Sequence, residues 1–336
     1  MATRIAINGF GRMGKLLMRV AWENPDLEIV HINEISGDAE SAAHLLNFDS
    51  IHRTWCHEAT AEGEYICVGD KKVAFTQYSD PTDIPWSKMG AEILVECSGK
   101  FKSQEKLHVF LREGVRKVVV SAPVKDGTLN IVMGVNDTLY DRTLPDIVTA
   151  ASCTTNCIAP VVKVIQEQFG IKHGMITTIH DVTNTQSVLD QFHPDLRRAR
   201  SSMMSLIPTS TGSATAIIEI FPELKGRING MAVRVPLANA SLTDCVFELE
   251  KPVTTEQVNL ALKHAAEGEL ENILAYEERP LVSVDFTDNP HSGIVDARST
   301  MVVNGTQLKV LIWYDNEMAY VHRLSELTSK VAQSLK

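Results

Sequence analysis

The first 150 or so residues alternate short β-branched runs with amphipathic segments, and this alternation limits the possible folds more than any other feature. The runs RIAING, EIVHINE, EILVECS, RKVVVSA, NIVMGVN and DIVTAA are typical of buried strands, and GKLLMRVAWEN is typical of a helix. Such a succession predicts βαβ units and a mainly parallel sheet. GEYICVGDKKVAF interrupts it with two alternating runs around Gly69 and Asp70, which predict a hairpin near the sheet edge.

From about Cys153 the pattern changes to that of an α+β domain. A helix, IAPVVKVIQEQF, is predicted to begin near Ile158. Longer strand candidates follow, namely GMITTIHDV, GMAVRVP, ASLTDCVFELE, PLVSVDF and QLKVLIWYD, with helical VNLALKHAAEG among them. The last segment, EMAYVHRLSELTSKVAQSL, has helical spacing, and we expect it to pack back on the first domain.

Charge and composition exclude several classes of function. The 336 residues carry a net charge of −10, so no global positive field favours nucleic acid as the main ligand. No apolar stretch of about 18 residues and no signal-peptide pattern occurs, so we expect a cytoplasmic protein without membrane insertion. None of the six cysteines forms a CxxC pair, so we expect no metal site and no disulfide framework. Four of them are expected to be small core residues: Cys56, Cys67, Cys97 and Cys245.

Three glycines stand between the first predicted strand and the first predicted helix, in the pattern Gly9-Phe10-Gly11-Arg12-Met13-Gly14. In that position the pattern is typical of a dinucleotide site, where glycines allow a tight turn and the helix N-terminus faces the pyrophosphate. Glu34 ends the second strand candidate, where a carboxylate accepts hydrogen bonds from ribose hydroxyls and repels a 2′-phosphate. The sequence therefore predicts NAD as the cofactor, in preference to NADP.

A candidate nucleophile, Cys153, lies near the start of a predicted helix, within Ser152-Cys153-Thr154-Thr155-Asn156-Cys157. A thiol in that position loses its proton more readily, and the thiolate is the nucleophile. His180 ends the strand candidate MITTIH, and folding is able to bring it to Cys153. From the residues alone, a core cysteine and an ordinary histidine remain an open alternative.

Seven stretches resemble, in order, the landmarks of phosphorylating glyceraldehyde-3-phosphate dehydrogenases: INGFGRMG, SCTTNC, TTIHDVTNTQ, HPDLRRAR, IPTSTGSA, MAVRVP and WYDNE. The resemblance implies a Rossmann NAD-binding domain over 1–152, completed by a C-terminal helix over 317–336, and an α+β catalytic domain over 153–316. It implies that Cys153 is the catalytic thiolate and His180 its base and acid. It also implies a homotetramer.

The resemblance assigns the remaining site residues by position. Thr183, Thr185 and Arg234 match the site for the substrate's own phosphate. Ser152, Thr154, Thr211 and Gly212 match the site for the attacking inorganic phosphate, and Arg200 is expected to add positive potential there, whereas Arg197 and Arg198 are read as a solvated loop. The expected cofactor contacts are Gly9, Phe10, Gly11, Arg12, Met13, Gly14, Asn33, Glu34, Ser98, Gly99, Ser121, Asn316 and Tyr320.

Two closer resemblances remain open within this family. INE, the short loop QSVLDQFHPDLRR and LVSVDF resemble erythrose-4-phosphate dehydrogenase, which hydrolyses its thioester with water, whereas the retained IPTSTG loop favours phosphate. The short loop, INE and the retained phosphate loop together look most like the branch associated with bacterial arsenate resistance, which implies arsenate as a second oxyanion and a functional link to an arsenical exporter. A catalytically silent NAD-binding module is the alternative from another class, and the Cys153 and His180 pair argues against it.

Overall fold

The computed structural model describes residues 2–86, 88–140 and 146–336, and the chain divides into two compact units. The first unit comprises Met1–Met133, Asp137–Ser152 and Val321–Lys336, and the second comprises Gly134–Asn136 and Cys153–Tyr320. None of the helices in the described part of the chain combines the length and the apolar character that a bilayer crossing requires.

The first unit contains a sheet whose central strands are parallel, as the alternation of runs predicted. Ile5 and Ile7 of its first strand are fully buried, which is typical of a sheet with both faces covered. Within the described residues the strand order is β10-β11-β9-β8-β1-β2-β7-β6-β5, and β3 and β4 form a separate ribbon. The strands are β1 (Thr3–Asn8), β2 (Leu27–Asn33), β3 (Phe48–Asp49), β4 (Arg53–Thr54), β5 (Ala59–Ala61), β6 (Tyr65–Val68), β7 (Lys71–Thr76), β8 (Ile93–Glu96), β9 (Lys117–Val120), β10 (Leu129–Asn130) and β11 (Ile147–Thr149).

The predicted hairpin around Gly69 is confirmed, because β6 and β7 pair in antiparallel fashion and lie next to the edge strand β5. Two of the helices that accompany this sheet begin at side chains that accept from exposed backbone N–H groups. The carboxylate of Asp38 accepts from Ser41 at the start of α2, and the hydroxyl of Ser103 accepts from Lys106 at the start of α3. The helices that accompany this sheet are α1 (Arg12–Ala21), α2 (Ala39–Asn47) and α3 (Gln104–Arg112).

The second unit contains a mixed sheet, with the order β13-β14-β12-β15-β19-β17-β16 and β18 paired to β19 among the described residues. Its central strand β12 is parallel to β14 and antiparallel to β15. The strands are β12 (Ile171–His180), β13 (Ile207–Ser210), β14 (Ile228–Arg234), β15 (Ser241–Leu249), β16 (Leu274–Glu277), β17 (Gly293–Asp296), β18 (Met301–Val303) and β19 (Gln307–Tyr314). The helices are α4 (Cys153–Phe169), α5 (Ser213–Ile220) and α6 (Thr255–Ala266).

The last helix, α7 (Met318–Gln333), begins in the second unit and continues in the first from Val321. The helical spacing of apolar residues in EMAYVHRLSELTSKVAQSL predicted this helix. Within the first unit, the side-chain amide of Asn24 donates to Ser329 at 2.8 Å, and that of Gln333 donates to Asp26 at 2.9 Å.

Four expectations from the sequence are wrong in detail. The helix predicted near Ile158 begins at Cys153, because Thr154, Thr155 and Asn156 are buried and tertiary packing outweighs their weak helix propensity. Of NIVMGVN, only its first residue, Asn130, lies in a strand, namely β10 (Leu129–Asn130).

The third wrong expectation is the strand PLVSVDF, which contains a short 3₁₀ helix, Ser283–Phe286. Val282 and Val284 are more than half exposed whereas Phe286 is buried, so the stretch does not bury the alternate residues of one face as a strand does. The Asp285 carboxylate accepts from the Val282 backbone N–H at 2.9 Å, which stabilises the turn. Cys56 is also exposed rather than in the core, because its neighbour Trp55 takes the buried position.

Candidate active site

Cys153 is the first residue of α4, a helix of 17 residues in the second unit. The unpaired N–H groups of a helix's first turn carry partial positive charge, which favours a thiolate there. Its sulfur lies 3.8 Å from Nε2 of His180. A hydrogen bond at that distance suits a sulfur acceptor, so the structure brings the predicted nucleophile and base together.

Asp181 is a neighbour of His180 that the sequence reasoning missed. Its carboxylate Oδ1 lies 2.7 Å from Nδ1 of His180, and its side chain is fully buried. Successive residues of a strand point to opposite faces, so a carboxylate directly after His180 was not expected beside it. Because β12 ends at His180, that alternation no longer holds at Asp181.

The protonation of His180 reflects three groups around the ring. Burial on its own lowers the pKa of His180, but the hydrogen bonds to Asp181 and Cys153 outweigh it and raise the pKa to about 9. The positive charge of Arg234 acts in the opposite direction. The imidazole is therefore biased toward its protonated form.

Arg234 is held beside His180 by strand pairing. The two residues are direct partners in the parallel pair of β12 and β14, and Nη1 of Arg234 lies 2.6 Å from Nδ1 of His180. Burial and the nearby charge of Arg198 lower the pKa of Arg234, while Cys153 and Tyr314 raise it. Nε of Arg234 is buried and has no hydrogen-bond partner among the described residues. A buried guanidinium N–H in this state is suited to an anionic ligand.

Hydroxyl groups lie on the two loops that follow β12 and β13. Thr183 and Thr185 are linked through their hydroxyls at 2.9 Å. Thr211 accepts from the Ser213 backbone N–H at 3.2 Å, next to Gly212, which precedes α5. A Cβ placed on Gly212 meets nothing within 4 Å, so space is open above this helix start.

The basic run over 196–200 is arranged differently from the expectation. Arg200, expected to add positive potential near the phosphates, pairs instead with Asp190 at 2.9 Å, and both side chains are exposed. Arg198, read as part of a solvated loop, donates to Thr209 at 2.8 Å and to the Ser210 carbonyl at 3.3 Å. Arg198 is therefore the basic residue next to the Thr211 loop. The sequence alone did not show which of Arg198 and Arg200 lies next to that loop.

Thr154 and the second cysteine of SCTTNC are both buried. The hydroxyl of Thr154 lies 3.0 Å from the Tyr314 hydroxyl, and burial raises the pKa of Tyr314 well above its usual value. Burial also raises the pKa of Cys157, whose sulfur lies 3.9 Å from the Thr243 hydroxyl. Cys157 is therefore poorly suited to act as a thiolate. Ser152 directly precedes Cys153 in the chain and is partly exposed.

The glycine turn of the first unit has the geometry that the motif predicted. Gly9 has φ +92°, and a Cβ there meets the Ser98 backbone nitrogen at 2.4 Å. A Cβ on Gly14 meets the Gly9 carbonyl oxygen at 2.2 Å, so only glycine allows α1 to pack this closely. A Cβ on Gly11 meets nothing within 4 Å. The turn is therefore open at the position where a pyrophosphate approaches the helix start.

The residues after Gly11 differ in what their side chains contact. Arg12 forms an ion pair with Asp49. Burial opposes ionisation of Asp49, but hydrogen bonds from Arg12 and from two backbone N–H groups hold its pKa well below its usual range. Met13 is half-buried in α1. The ion pair of the Arg12 side chain thus anchors the start of α1 to the loop that contains Asp49. The backbone of Arg12 lies at the glycine turn.

Asn33 ends β2 and Glu34 follows it, beside the glycine turn. Oε2 of Glu34 accepts from the Phe10 backbone N–H at 2.6 Å, and Oε1 accepts from the Ser36 backbone N–H at 2.8 Å. These bonds place the carboxylate at the turn. Asn33 is buried, and both its amide hydrogens and both its acceptor positions are used by Asn8, Thr76 and Tyr78. Its side chain therefore supports the strand end and has no capacity left for a cofactor, contrary to the expectation.

Ser98, Gly99 and Ser121 follow β8 and β9, at the carboxyl end of the same sheet. Both the backbone N–H and the hydroxyl of Ser98 donate to Glu96, whose side chain is 1% exposed. Gly99 has φ +68°, and the Ser121 backbone N–H donates to the Glu96 carbonyl at 2.9 Å. Burial raises the pKa of Glu96 to about 7, against hydrogen bonds from Ser98 and Asn8.

Asn316 and Tyr320 lie at the end of the second unit and are both buried. Asp315 accepts from the backbone N–H groups of Glu317 and Met318, each at 2.8 Å, and this fixes the turn that carries Asn316. Oδ1 of Asn316 has no hydrogen-bond partner in the described part of the chain. A buried amide oxygen of this kind fits the carboxamide of a nicotinamide ring, just as the open glycine turn fits a pyrophosphate.

Comparison with known proteins agrees with both units. Residues 3–104 match the family model described as glyceraldehyde 3-phosphate dehydrogenase, NAD binding domain, and residues 152–316 match the C-terminal domain of the same family. The chain is 60% identical to glyceraldehyde-3-phosphate dehydrogenase 3 of Nostoc sp., over 100% of both chains. It is 48% identical to glyceraldehyde-3-phosphate dehydrogenase of Geobacillus stearothermophilus and 46% identical to glyceraldehyde-3-phosphate dehydrogenase 1 of Bacillus subtilis, each over 99% of both chains.

Proposed function

Because the chain belongs to the glyceraldehyde-3-phosphate dehydrogenase family, we propose that it oxidises D-glyceraldehyde 3-phosphate with NAD and phosphate to 1,3-bisphosphoglycerate. The observation that carries the proposal is the pairing of Cys153, at the start of α4, with His180 at 3.8 Å. A nucleophile with a base in contact is the arrangement that covalent aldehyde oxidation requires.

The two units divide the work in this proposal. Residues 1–152, with the C-terminal helix over 317–336, form the NAD-binding domain, and residues 153–316 form the catalytic domain. The cofactor is held by the glycine turn, the Glu34 carboxylate, and the Asn316 and Tyr320 side chains. The proposed cofactor contacts are Gly9, Phe10, Gly11, Arg12, Met13, Gly14, Glu34, Ser98, Gly99, Ser121, Asn316 and Tyr320.

Cys153 and His180 carry the proposed chemistry. The Cys153 sulfur bonds to the aldehyde carbon, and the carbonyl oxygen takes the proton that His180 holds on Nε2. In the next step Nε2 takes that proton back while the C–H bond of the same carbon breaks and its hydrogen leaves as hydride, so the C–O double bond forms again and Cys153 carries a thioester. When bound, NAD supplies the hydride acceptor.

In this proposal the two anions are held by side-chain hydroxyls, backbone N–H groups and a guanidinium. Arg234, Thr183 and Thr185 bind the phosphate of the substrate. Ser152, Thr154, Thr211 and Gly212 bind the attacking phosphate, whose oxygen bonds to the thioester carbon and releases Cys153 as the thiolate. Hydroxyls, backbone N–H groups and a guanidinium suit a doubly charged oxyanion, because each donates a hydrogen bond to it. Arg198 replaces Arg200 as the basic residue of this set, since it contacts Thr209 and Ser210.

The experiment measures NADH formation with and without phosphate, using glyceraldehyde 3-phosphate and erythrose 4-phosphate in turn. We expect phosphate-dependent turnover with the three-carbon aldehyde and an acyl phosphate as the product. Turnover that is independent of phosphate and faster with erythrose 4-phosphate would overturn the proposal in favour of a hydrolytic dehydrogenase. Absence of NADH formation with either aldehyde, in protein that still binds NAD, would indicate a silent NAD-binding module.

We extend the proposal to arsenate as a second oxyanion, with a role in arsenate resistance. Arsenate has the charge and tetrahedral shape of phosphate, so the hydroxyls of Thr154 and Thr211 bind either one. The product, 1-arseno-3-phosphoglycerate, then needs an arsenical exporter as a functional partner. Deleting the gene is expected to sensitise cells to arsenate without blocking growth on glucose, and the opposite phenotype would assign the protein to central carbon metabolism.

We propose that the protein acts as a homotetramer in the cytoplasm. Large apolar side chains on the second unit support the assembly, because Met175, Leu189 and Met204 are each more than two-thirds exposed. Light scattering on the purified chain is expected to give four times the mass of one chain, and a monomer would exclude the assembly. The cysteines are all unpaired, which suits a reducing compartment.

A further inference from the structure

The Asp181 carboxylate is held in one position by its own hydrogen bonds. The Ser241 hydroxyl donates to Oδ1 at 3.2 Å, and the Asp181 backbone N–H donates to the same hydroxyl at 3.1 Å. Oδ1 also lies 2.7 Å from Nδ1 of His180. A fully buried acid in this arrangement makes its main side-chain contact with the imidazole rather than with solvent.

The contacts of Nδ1 determine where the ring carries its proton. Nδ1 lies 2.7 Å from Oδ1 of Asp181, 2.9 Å from the Asp181 backbone oxygen and 2.6 Å from Nη1 of Arg234. Both oxygens are acceptors, and of the two only the carboxylate carries a full negative charge. Nδ1 is not able to donate to the carboxylate and accept from the guanidinium at the same time. A charged carboxylate favours the protonated Nδ1, and Arg234 Nη1 then donates to the Asp181 backbone oxygen at 3.1 Å.

The charges around His180 come from several elements of the second unit. Asp181 and Arg234 face Nδ1 from the ends of β12 and β14, and Cys153 faces Nε2 from α4. Tyr314 of β19 packs edge-on against the ring, with 6.1 Å between the ring centres, and burial keeps its hydroxyl protonated by raising its pKa. Burial and the charge of Glu317 raise the pKa of Asp181, while His180 and Ser241 lower it. Among these groups, Asp181 is the acid in direct contact with the imidazole.

We propose that Asp181 is a positioning residue that fixes His180 with Nδ1 protonated, turns Nε2 toward Cys153, and stabilises the imidazolium so that Cys153 is held as a thiolate. The role rests on the proposed function, because it concerns the same nucleophile. The Cys153 S–H proton moves to Nε2, which leaves a negative sulfur and a positive ring between that sulfur and the Asp181 carboxylate. Charge is conserved in this transfer, and no further reactant is needed.

The test measures thiol alkylation, which needs no substrate or cofactor. Iodoacetamide is added to the full-length protein across a range of pH, and the rate at each cysteine is read by peptide mass spectrometry. Asp181→Asn keeps an oxygen that accepts from Nδ1 but removes the charge. A nearby opposite charge typically shifts such an equilibrium by about 1 to 3 pH units. We therefore expect the Cys153 profile to move upward by at least about one pH unit, with alkylation about tenfold slower at neutral pH.

Two controls accompany this measurement. Cys56 is exposed in the same chain and reports general reactivity, so its rate is expected to be equal in both proteins. Asp244→Asn removes a carboxylate from the neighbouring strand β15, where it pairs with Lys309 at 2.6 Å, and is expected to leave the Cys153 profile unchanged. An identical Cys153 profile in the wild-type protein and in Asp181→Asn would overturn the proposal.

A second measurement, on the wild-type protein, does not depend on whether Asp181→Asn folds. Nitrogen-15 NMR of the histidine side chains in the wild-type protein is expected to show His180 with Nδ1 protonated at neutral pH, assigned by its loss in His180→Asn. A neutral ring protonated only on Nε2 would overturn the proposal. If alkylation shifts as expected but no aldehyde is oxidised, the proposed function fails and the Asp181 role stands. If the enzyme turns over and alkylation does not shift, the Asp181 role fails alone.

Discussion

Replacing Glu34 by Ala is expected to weaken NAD and to reduce the discrimination against NADP. The carboxylate accepts from Phe10 at 2.6 Å and from Ser36 at 2.8 Å, and the proposed function adds the ribose hydroxyls. Hydrogen bonds to charged groups contribute about 1.5 to 3 kcal/mol each, and the half-buried position of Glu34 places them at the lower end. Losing the loop anchor and the ribose contact together is expected to weaken NAD by about tenfold to a hundredfold.

The effect on NADP has the opposite sign. A carboxylate about 4 Å from a 2′-phosphate is repelled by about 1 kcal/mol per charge pair even in bulk water, and by more near a protein surface. Removing that repulsion is therefore expected to lower the preference for NAD over NADP by at least about fivefold. Glu34→Gln separates the two contributions, because its amide oxygen still accepts one backbone N–H but carries no charge.

The assay determines kcat/KM for NAD and for NADP in each variant. Glu28→Ala is the matched control, since Glu28 is an exposed carboxylate on the same strand β2. The reasoning would be refuted if the ratio of kcat/KM for NAD to kcat/KM for NADP were the same in Glu34→Ala and in the wild-type protein. It would also be refuted if the wild-type protein used NADP better than NAD.

Three further perturbations test the chemistry and the pH dependence. Cys153→Ser is expected to abolish NAD reduction and to leave NAD binding, measured by calorimetry, nearly intact. Cys157→Ser is expected to keep activity, and an equal loss in both variants would show that the choice of nucleophile is mistaken. His180→Asn is expected to lower kcat by about 10² to 10⁴, read from NADH formation; an unchanged kcat would remove His180 from the mechanism. Because the folded pKa of Glu96 is raised from 4.5 to about 7, stability in urea unfolding is expected to fall as pH rises between these values, and Glu96→Gln is expected to flatten that slope, whereas parallel slopes would contradict it.

Local rules predicted the glycine turn and the arrangement of strands around it. Gly14 is constrained by the carbonyl oxygen of Gly9 in the same turn, so the spacing of the glycines was enough to locate the turn. The same holds for the hairpin around Gly69, whose two strands are neighbours in the chain. These features depend on backbone geometry, which sequence spacing reports directly.

Features that depend on tertiary packing were harder to predict. The first turn of α4 consists of residues with weak helix propensity, and only their burial makes them helical. Asp181 was missed because strand alternation, if continued past His180, places it on the opposite face. The backbone path after β12 that brings its carboxylate to Nδ1 is a feature of the folded chain. Arg198 and Arg200 are two positions apart in one basic run, and their different partners, Thr209 and Asp190, become apparent only in the folded loop.

The pairing of β12 on both of its edges also predicts where the chain tolerates insertions and deletions. His180 is opposite Arg234 of β14, and the preceding residues pair with β15, so a single added residue within Ile171–His180 turns the imidazole to the other face of the sheet. Residues 186–194 lie outside these pairings and before Arg198, between β12 and β13. Differences in length are therefore expected to collect in that loop, and a directed-evolution library that varies loop length there is expected to retain turnover far more often than one that varies the strand.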